Sequence, residues 1–172
     1  MRPGDLLLTP TGLLFGGRRY PCTWGRGGVT TAKREGDGAT PAGSHRIIGM
    51  LYRPDRIAPP ADWAVPLRPG DLWSDDPRDE DYNLMVRAPH GFSHERLCRA
   101  DPLYDLILVT DWNWPRAQPG KGSAIFLHRW RRPGFPTAGC VALAPGDLRA
   151  IAAALRPGAR LIVPARMAPK QG

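Results

Sequence analysis

Two residues able to carry nucleophilic chemistry stand twelve positions apart in "HRWRRPGFPTAGCVAL": His128 and Cys140. A thiolate attacks a carbonyl carbon while an imidazole moves the protons, which requires the two side chains within hydrogen-bond reach. Ala138, Gly139 and Cys140 form a small-residue backbone whose N–H groups can converge on a developing oxyanion. An imidazolium with Arg129, Arg131 and Arg132 nearby is expected to lower the thiol pKa and populate the thiolate. Packing offers the same residues an ordinary role, because unpaired Cys is among the most buried residue types. Spacing alone leaves both readings open.

The elements around the pair read as short strands. "GSAIFLHRW" (122–130) is an apolar run ending near the His, and "GCVAL" begins another at the Cys. The Gly/Pro segment "RRPGFP" between them is expected to fold back as a hairpin-like loop, bringing adjoining strand ends about 5 Å apart. "YDLILVTDWN" (104–113) reads as a buried strand, with Ile107, Leu108 and Val109 in a row. At the N-terminus, "DLLLT", a turn at Pro10-Thr11-Gly12 and "LLFGGRRYPC" read as a strand pair. "GRGGVTTAKREGDGATPAGSHRI" is mostly loop, and "SHRIIGMLYR" alternates as a strand. Residues 53–100 form a long Pro-rich excursion whose Trp63, Trp73 and Tyr82 favour an ordered, packed segment able to form one cleft wall. Pro145 and Asp147 suit a first helical turn, and Leu148, Ile151, Ala152 and Leu155 have helical spacing. "RPG" ends that helix and "ARLIVP" supplies a last strand. The expected fold is a mainly β (β-rich α+β) single domain over residues 1–172, sandwich- or barrel-like, with one helix after the Cys strand.

Composition narrows the classes. An apolar content of 42% and a charged content of 23% are ordinary for a globular chain, whereas Pro and Gly, 20 each, favour turns and short strands. No run of about 18 apolar residues is present, so no transmembrane helix is expected. The opening "MRPGDLLLTPTG" has only three consecutive leucines, too few for a signal-peptide core. The net charge of +8 comes mostly from scattered Arg, with Lys only at Lys33, Lys121 and Lys170. That pattern describes a solvated basic surface or attraction to an anionic polymer, and it contains no nucleic-acid motif. Cys22, Cys98 and Cys140 are an odd count with no CxxC pair, which argues against structural zinc. Cys22 and Cys98 read as buried apolar residues or as a disulfide. His90, His94 and Glu95 in "PHGFSHE" resemble a metal set only superficially, since the context is loop. Asp111 reads as a solvated turn residue in preference to a partner for a histidine.

Taken together, "GSAIFLH" and "TAGCVAL" resemble the signature of the L,D-transpeptidase catalytic domain, the YkuD-like family. "KREGDGATPAGSHRI" is similar to its Gly-Asp-x-x-Thr-Pro-x-Gly segment, and "DPLYDLILVTDWN" with "PGKGSAIFLH" to the strand pair that delivers the His. The resemblance spans roughly residues 20–165. It implies Cys140 as nucleophile, His128 as acid/base, and the backbone N–H groups of Gly139 and Cys140 as the oxyanion hole. Thr137 stands at the motif's Ser/Thr. Ala138 and Ala142 depart from the second His and the Arg or Asn found in many members, which bears on substrate placement. The expected substrate contacts are Thr137, Ala138, Arg129, Arg131, Trp112 and Asn113, with Ser93 and Glu95 in a region resembling the family's variable cap.

The implied reaction is acyl transfer on peptidoglycan stem peptides without cofactor or metal. The thiolate attacks an L–D bond and forms a thioester. A diaminopimelate amine then takes the acyl group, giving a 3,3 or 1,3 cross-link, or a free D-amino acid takes it. Hydrolysis of the same acyl-enzyme would make a carboxypeptidase or amidase, and a non-catalytic basic wall-binding module is the reading from another class. The implied location is the periplasm or cell envelope.

Overall fold

The computed structural model describes residues 2–167, so Lys170 lies outside the described residues. Leu6–Thr9 (β1) and Gly12–Phe15 (β2) form a hairpin, and Arg18–Tyr20 (β3) pairs back on β2. The expected single run through "LLFGGRRYPC" is therefore broken at Gly16-Gly17. Both glycines have positive φ, 56° and 78°, which matches the right-handed twist of the flanking strands in a two-residue turn. Pro21 alone separates β3 from Cys22–Thr23 (β4). Val29–Thr30 (β5) and Thr40–Pro41 (β6) pair briefly inside the Gly-rich loop, and Gly43–Tyr52 (β7) is the longest strand.

The long excursion is ordered. Val65–Pro66 (β8) runs beside β7, and Asp71–Ser74 (β9), Met85–Arg87 (β10) and His94–Arg96 (β11) form a separate three-stranded sheet. Leu106–Thr110 (β12), Phe126–Arg129 (β13) and Val141–Leu143 (β14) follow, then the helix Pro145–Ala154 (α1) and Arg160–Val163 (β15). Pro145 opens α1 and Asp147 lies in its first turn, as expected, while Leu148, Ile151 and Ala152 are its buried face.

The main sheet runs β3-β2-β1-β15-β7-β12-β13-β14-β4. Its two ends, β3 and β4, are neighbours in sequence across Pro21, so the sheet must curl back almost to closure. The mainly β, barrel-like expectation thus holds, with one helix after the Cys strand. Alternation along β12, β13 and β14 sorts their side chains to two faces. Leu106, Leu108, Leu127, Val141 and Leu143 join β1, β2 and α1 in one core. Ile107, Val109, Phe126 and Cys140 face a second core shared with Leu67, Trp73 and Leu97 of the excursion. Burial on both faces explains why Ile107, Leu108 and Val109 are all apolar.

Candidate active site

Strands β13 and β14 run parallel, not as the expected hairpin, with His128 in register with Ala142. Residues 130–140 are therefore a crossover connection. The two-residue period of a strand places Cys140 on the same face as Ala142 and hence as His128. The crossover is pinned to the loop after β4: Thr137 N–H donates to Trp24 O (3.0 Å), and Arg26 N–H donates to Thr137 O (2.8 Å).

Thr137 then shapes the turn into the thiol. Its Oγ1 accepts from Gly139 N–H (3.1 Å) and donates to Cys140 O (2.6 Å). Gly139 has φ +141°, and a Cβ there would sit 2.9 Å from Ala39 O, so only glycine fits without displacement. Thr40 fastens the same turn from the other side: its Oγ1 donates to Gly139 O (2.8 Å) and accepts from Gly25 N–H (2.9 Å). The Thr-Pro-x-Gly segment thereby holds the loop that leads into Cys140. Of the two amides that the resemblance assigns to an oxyanion hole, that of Gly139 is engaged by Thr137 at rest.

Cys140 is 9% exposed and His128 6%. The thiol donates to Ala124 O (3.1 Å) and accepts from Phe126 N–H (3.4 Å). Ala124 itself holds the left-handed conformation, φ +53°, and its N–H is taken by Asn83 Oδ1 (2.9 Å). This conformation ends the apolar run as a strand, so β13 starts only at Phe126. His128 Nδ1 donates to the carbonyl of Arg129 (2.7 Å), which leaves Nε2 as the lone-pair nitrogen of a neutral ring. Nε2 has no hydrogen-bond partner among the described residues.

The electrostatics reverse one expectation. Burial first, and Glu95 second, push the Cys140 thiol up to about 12, although Phe126 N–H and Lys33 oppose them. Burial, with Arg99 and Arg131 adding repulsion, lowers His128 to about 4 despite its bond to Arg129 O. The resting pair is thiol and neutral imidazole, not thiolate and imidazolium. Of the arginines expected to draw out the thiolate, Arg131 acts on the imidazole instead, and desolvation penalises the charged form of both groups in this pocket.

A cleft of about 580 Å³ opens over the pair. Thr137, Ala138, Arg131 and Ala142 line it, together with Glu95 and Arg99 from the excursion. Arg26, Lys33, Glu35, Tyr104 and Ser123 also line it, and sequence reasoning had assigned them no role there. Glu35 accepts from Tyr82 OH and from Ser123 Oγ (2.8 Å), tying the Gly-rich loop to the segment before β13. Lys33 is held by Asp37 and Arg34 O, whereas Arg26 and Arg131 have no ion-pair partner among the described residues.

Three expected contacts lie elsewhere. Arg129 lines hollows on the other side of β13, as alternation requires, and only its carbonyl reaches His128. Trp112 donates to Lys121 O (3.2 Å), and Asn113 donates to Gln118 O and Gly122 O. Both brace the 112–122 loop instead of lining the cleft. Arg132 lies over the Phe135 ring, and Asp111 pairs with Arg46. Cys22 and Cys98 are not joined in a disulfide, which removes that reading. His90 bonds Asp79 (2.7 Å), His94 bonds Phe92 O (2.7 Å), and among the described residues no group of three His, Cys, Asp or Glu is arranged to hold a metal. No helix among the described residues is long and apolar enough to cross a membrane.

The chain was compared with known proteins. No curated protein and no solved structure matches it. A family model does: that of the L,D-transpeptidase catalytic domain, YkuD, over residues 16–163. That span begins at the turn after β2, ends with β15, and takes in every element that positions the thiol and the imidazole. The chain therefore belongs to the L,D-transpeptidase catalytic domain family.

Proposed function

We propose that this protein is a peptidoglycan L,D-transpeptidase whose nucleophile is Cys140 and whose acid/base is His128, acting in the periplasm or cell envelope. The supporting observation is the shared face: a thiol and an imidazole with an unengaged Nε2 open into one cleft, on a chain of this family. With both groups neutral at rest, His128 Nε2 takes the thiol proton as Sγ attacks the L-residue carbonyl of an L–D bond. The tetrahedral oxyanion is met by backbone amides of the Gly139-Cys140 turn. Collapse expels the D-residue amine, which receives the proton from His128, and leaves a thioester on Cys140. An amine of a second stem then repeats the sequence in reverse, forming a 3,3 or 1,3 cross-link, or a D-amino acid is exchanged in.

Arg26 and Arg131 suit carboxylates of the stem peptides, since neither has an ion-pair partner among the described residues to give up. The test is incubation with purified disaccharide-tetrapeptide muropeptides followed by product mass and fragmentation. A cross-linked dimer that disappears in Cys140→Ala is expected, along with a covalent carbapenem adduct on Cys140. Full activity in the alanine variant would overturn the proposal. Shortened stems without dimer would mark a hydrolase using the same acyl-enzyme. Wall binding that survives thiol alkylation but is lost in high salt, with no products, would mark a basic binding module.

A further inference from the structure

Glu95 is a carboxylate that the acylation chemistry leaves unused. It lies on β11 opposite Trp73 of β9, and Trp73 is part of the second core, so Glu95 faces inward. It lines the same cleft as Cys140 and His128. Tyr104 OH donates to Glu95 Oε2 (2.5 Å), and the Tyr104 ring stands edge-on to His128, centroids 5.4 Å apart. Tyr104 is itself set by the short turn Pro102–Tyr104, where Asp101 caps Leu103 N–H and pairs with Arg99, whose guanidinium lies over the Tyr104 ring. An oriented carboxylate beside a nucleophile opposes the thiolate and gains nothing for acylation. It does suit a cation arriving at the same place.

We propose that Glu95, oriented by Tyr104, is the acceptor-amine subsite: it receives the ammonium of the incoming stem and takes its first proton. The inference rests on the transpeptidase reading. The amine must arrive as an ammonium and attack as a neutral nitrogen. Glu95 accepts one proton, leaving R–NH2 beside the thioester. The nitrogen lone pair forms the C–N bond while the carbonyl π pair moves to oxygen. Collapse restores the carbonyl and breaks the C–S bond, with that electron pair leaving on Sγ. The second nitrogen proton passes to His128 Nε2 and from there to Sγ, and Glu95 returns its proton to solvent. Amide, thiol and one released proton balance ammonium and thioester.

Burial raises Glu95, as do Asp75 and Glu35, while the Tyr104 bond and Arg99 lower it. A raised carboxyl is the better acceptor for an ammonium proton. Water needs no such subsite, so Glu95 favours transfer over hydrolysis.

The experiment measures how the acyl-enzyme partitions between amide and acid product in the whole protein, with a disaccharide-tetrapeptide as donor. Two nucleophiles are compared: a diaminopimelate-containing tripeptide, which carries an ammonium, and hydroxylamine, uncharged near neutral pH. Glu95→Gln is expected to lower the amide-to-acid ratio about a hundredfold for the tripeptide, with little change for hydroxylamine. It should also acylate faster, because a like charge beside the thiolate is gone. Tyr104→Phe keeps the ring and removes only the hydroxyl, and should shift the ratio the same way by less. Acylation with an unshifted tripeptide ratio in both variants overturns this inference alone. No acyl-enzyme in the unsubstituted protein overturns the transpeptidase reading, and this inference with it.

Discussion

Alkylation of Cys140 as a function of pH reads the ionisation of its thiol directly. The thiol is held at about 12 against an ordinary 9.0, which opposes the thiolate by about 4 kcal/mol at 1.36 kcal/mol per tenfold. At pH 8 a thiol at 9.0 is about one-tenth ionised and one at 12 about one part in ten thousand, a difference of about a thousandfold in nucleophile. Site-resolved mass spectrometry after brief iodoacetamide exposure separates Cys140 from Cys22 and Cys98. Restricted access lowers the rate by the same factor at every pH, whereas a raised pKa sets its slope. The expected Cys140 rate climbs about tenfold per pH unit from pH 7 to 10 without levelling.

Acylation by a carbapenem should behave differently. His128, held near 4, is already a neutral base above about pH 5, so the proton leaves the thiol during attack and no thiolate need form beforehand. Acylation is then nearly flat between about pH 6 and 8 while alkylation climbs. Alkylation that levels off with a midpoint below 9 would show a thiolate–imidazolium pair and refute the neutral-pair reasoning.

Gly139→Ala puts a Cβ 2.9 Å from Ala39 O at φ +141°. Displacing that turn should slow carbapenem acylation by about a hundredfold, the scale of losing one oxyanion donor, as an intact-mass time course would show. Leu148 of α1 is 1% exposed within the first core, so Leu148→Ala should cost about 2–5 kcal/mol in urea unfolding. Asp5, bonded to Arg160 and Arg2 N–H, is lowered from 3.8 to about 2. A depressed carboxyl contributes stability that is complete above its unfolded value and lost as pH falls through its folded one. Asp5→Asn should therefore unfold earlier than the unsubstituted protein above about pH 4, and the gap should narrow toward pH 2 in thermal melts.

The turn that presents the Cys140 thiol was legible because it is written in nearly consecutive residues: Thr137, Gly139 and Cys140 shape it among themselves. α1 was legible for a similar reason, since Pro145, Asp147 and the apolar spacing all act within a few turns. The parallel register of β13 and β14 was not, because Gly134 and the prolines that permit a hairpin also permit a crossover, and local sequence does not name a pairing partner. The cleft walls were hidden by sequence distance. Glu35 meets Tyr82 across 47 positions and Ser123 across 88, contacts that no local periodicity encodes. Arg129 illustrates the opposite error. It stands beside His128 in sequence, and for that reason points to the other face of the strand.

The charge state was misjudged because proximity in sequence says nothing about desolvation. Arg99 and Arg131 lower His128 in the same direction as burial, and burial is the largest cause at both His128 and Cys140. Under the transpeptidase reading, that burial serves a second step. The pocket that disfavours a resting thiolate also limits the water able to reach a thioester formed there, and a thioester shielded from water waits for an amine. An enzyme tuned only for fast acylation would expose its thiol and place cations beside it. On that reading this one encloses the thiol and sets Glu95 against it, with Lys33 opposing more weakly. The arrangement sacrifices intrinsic nucleophilicity at the first step for control over which nucleophile completes the second.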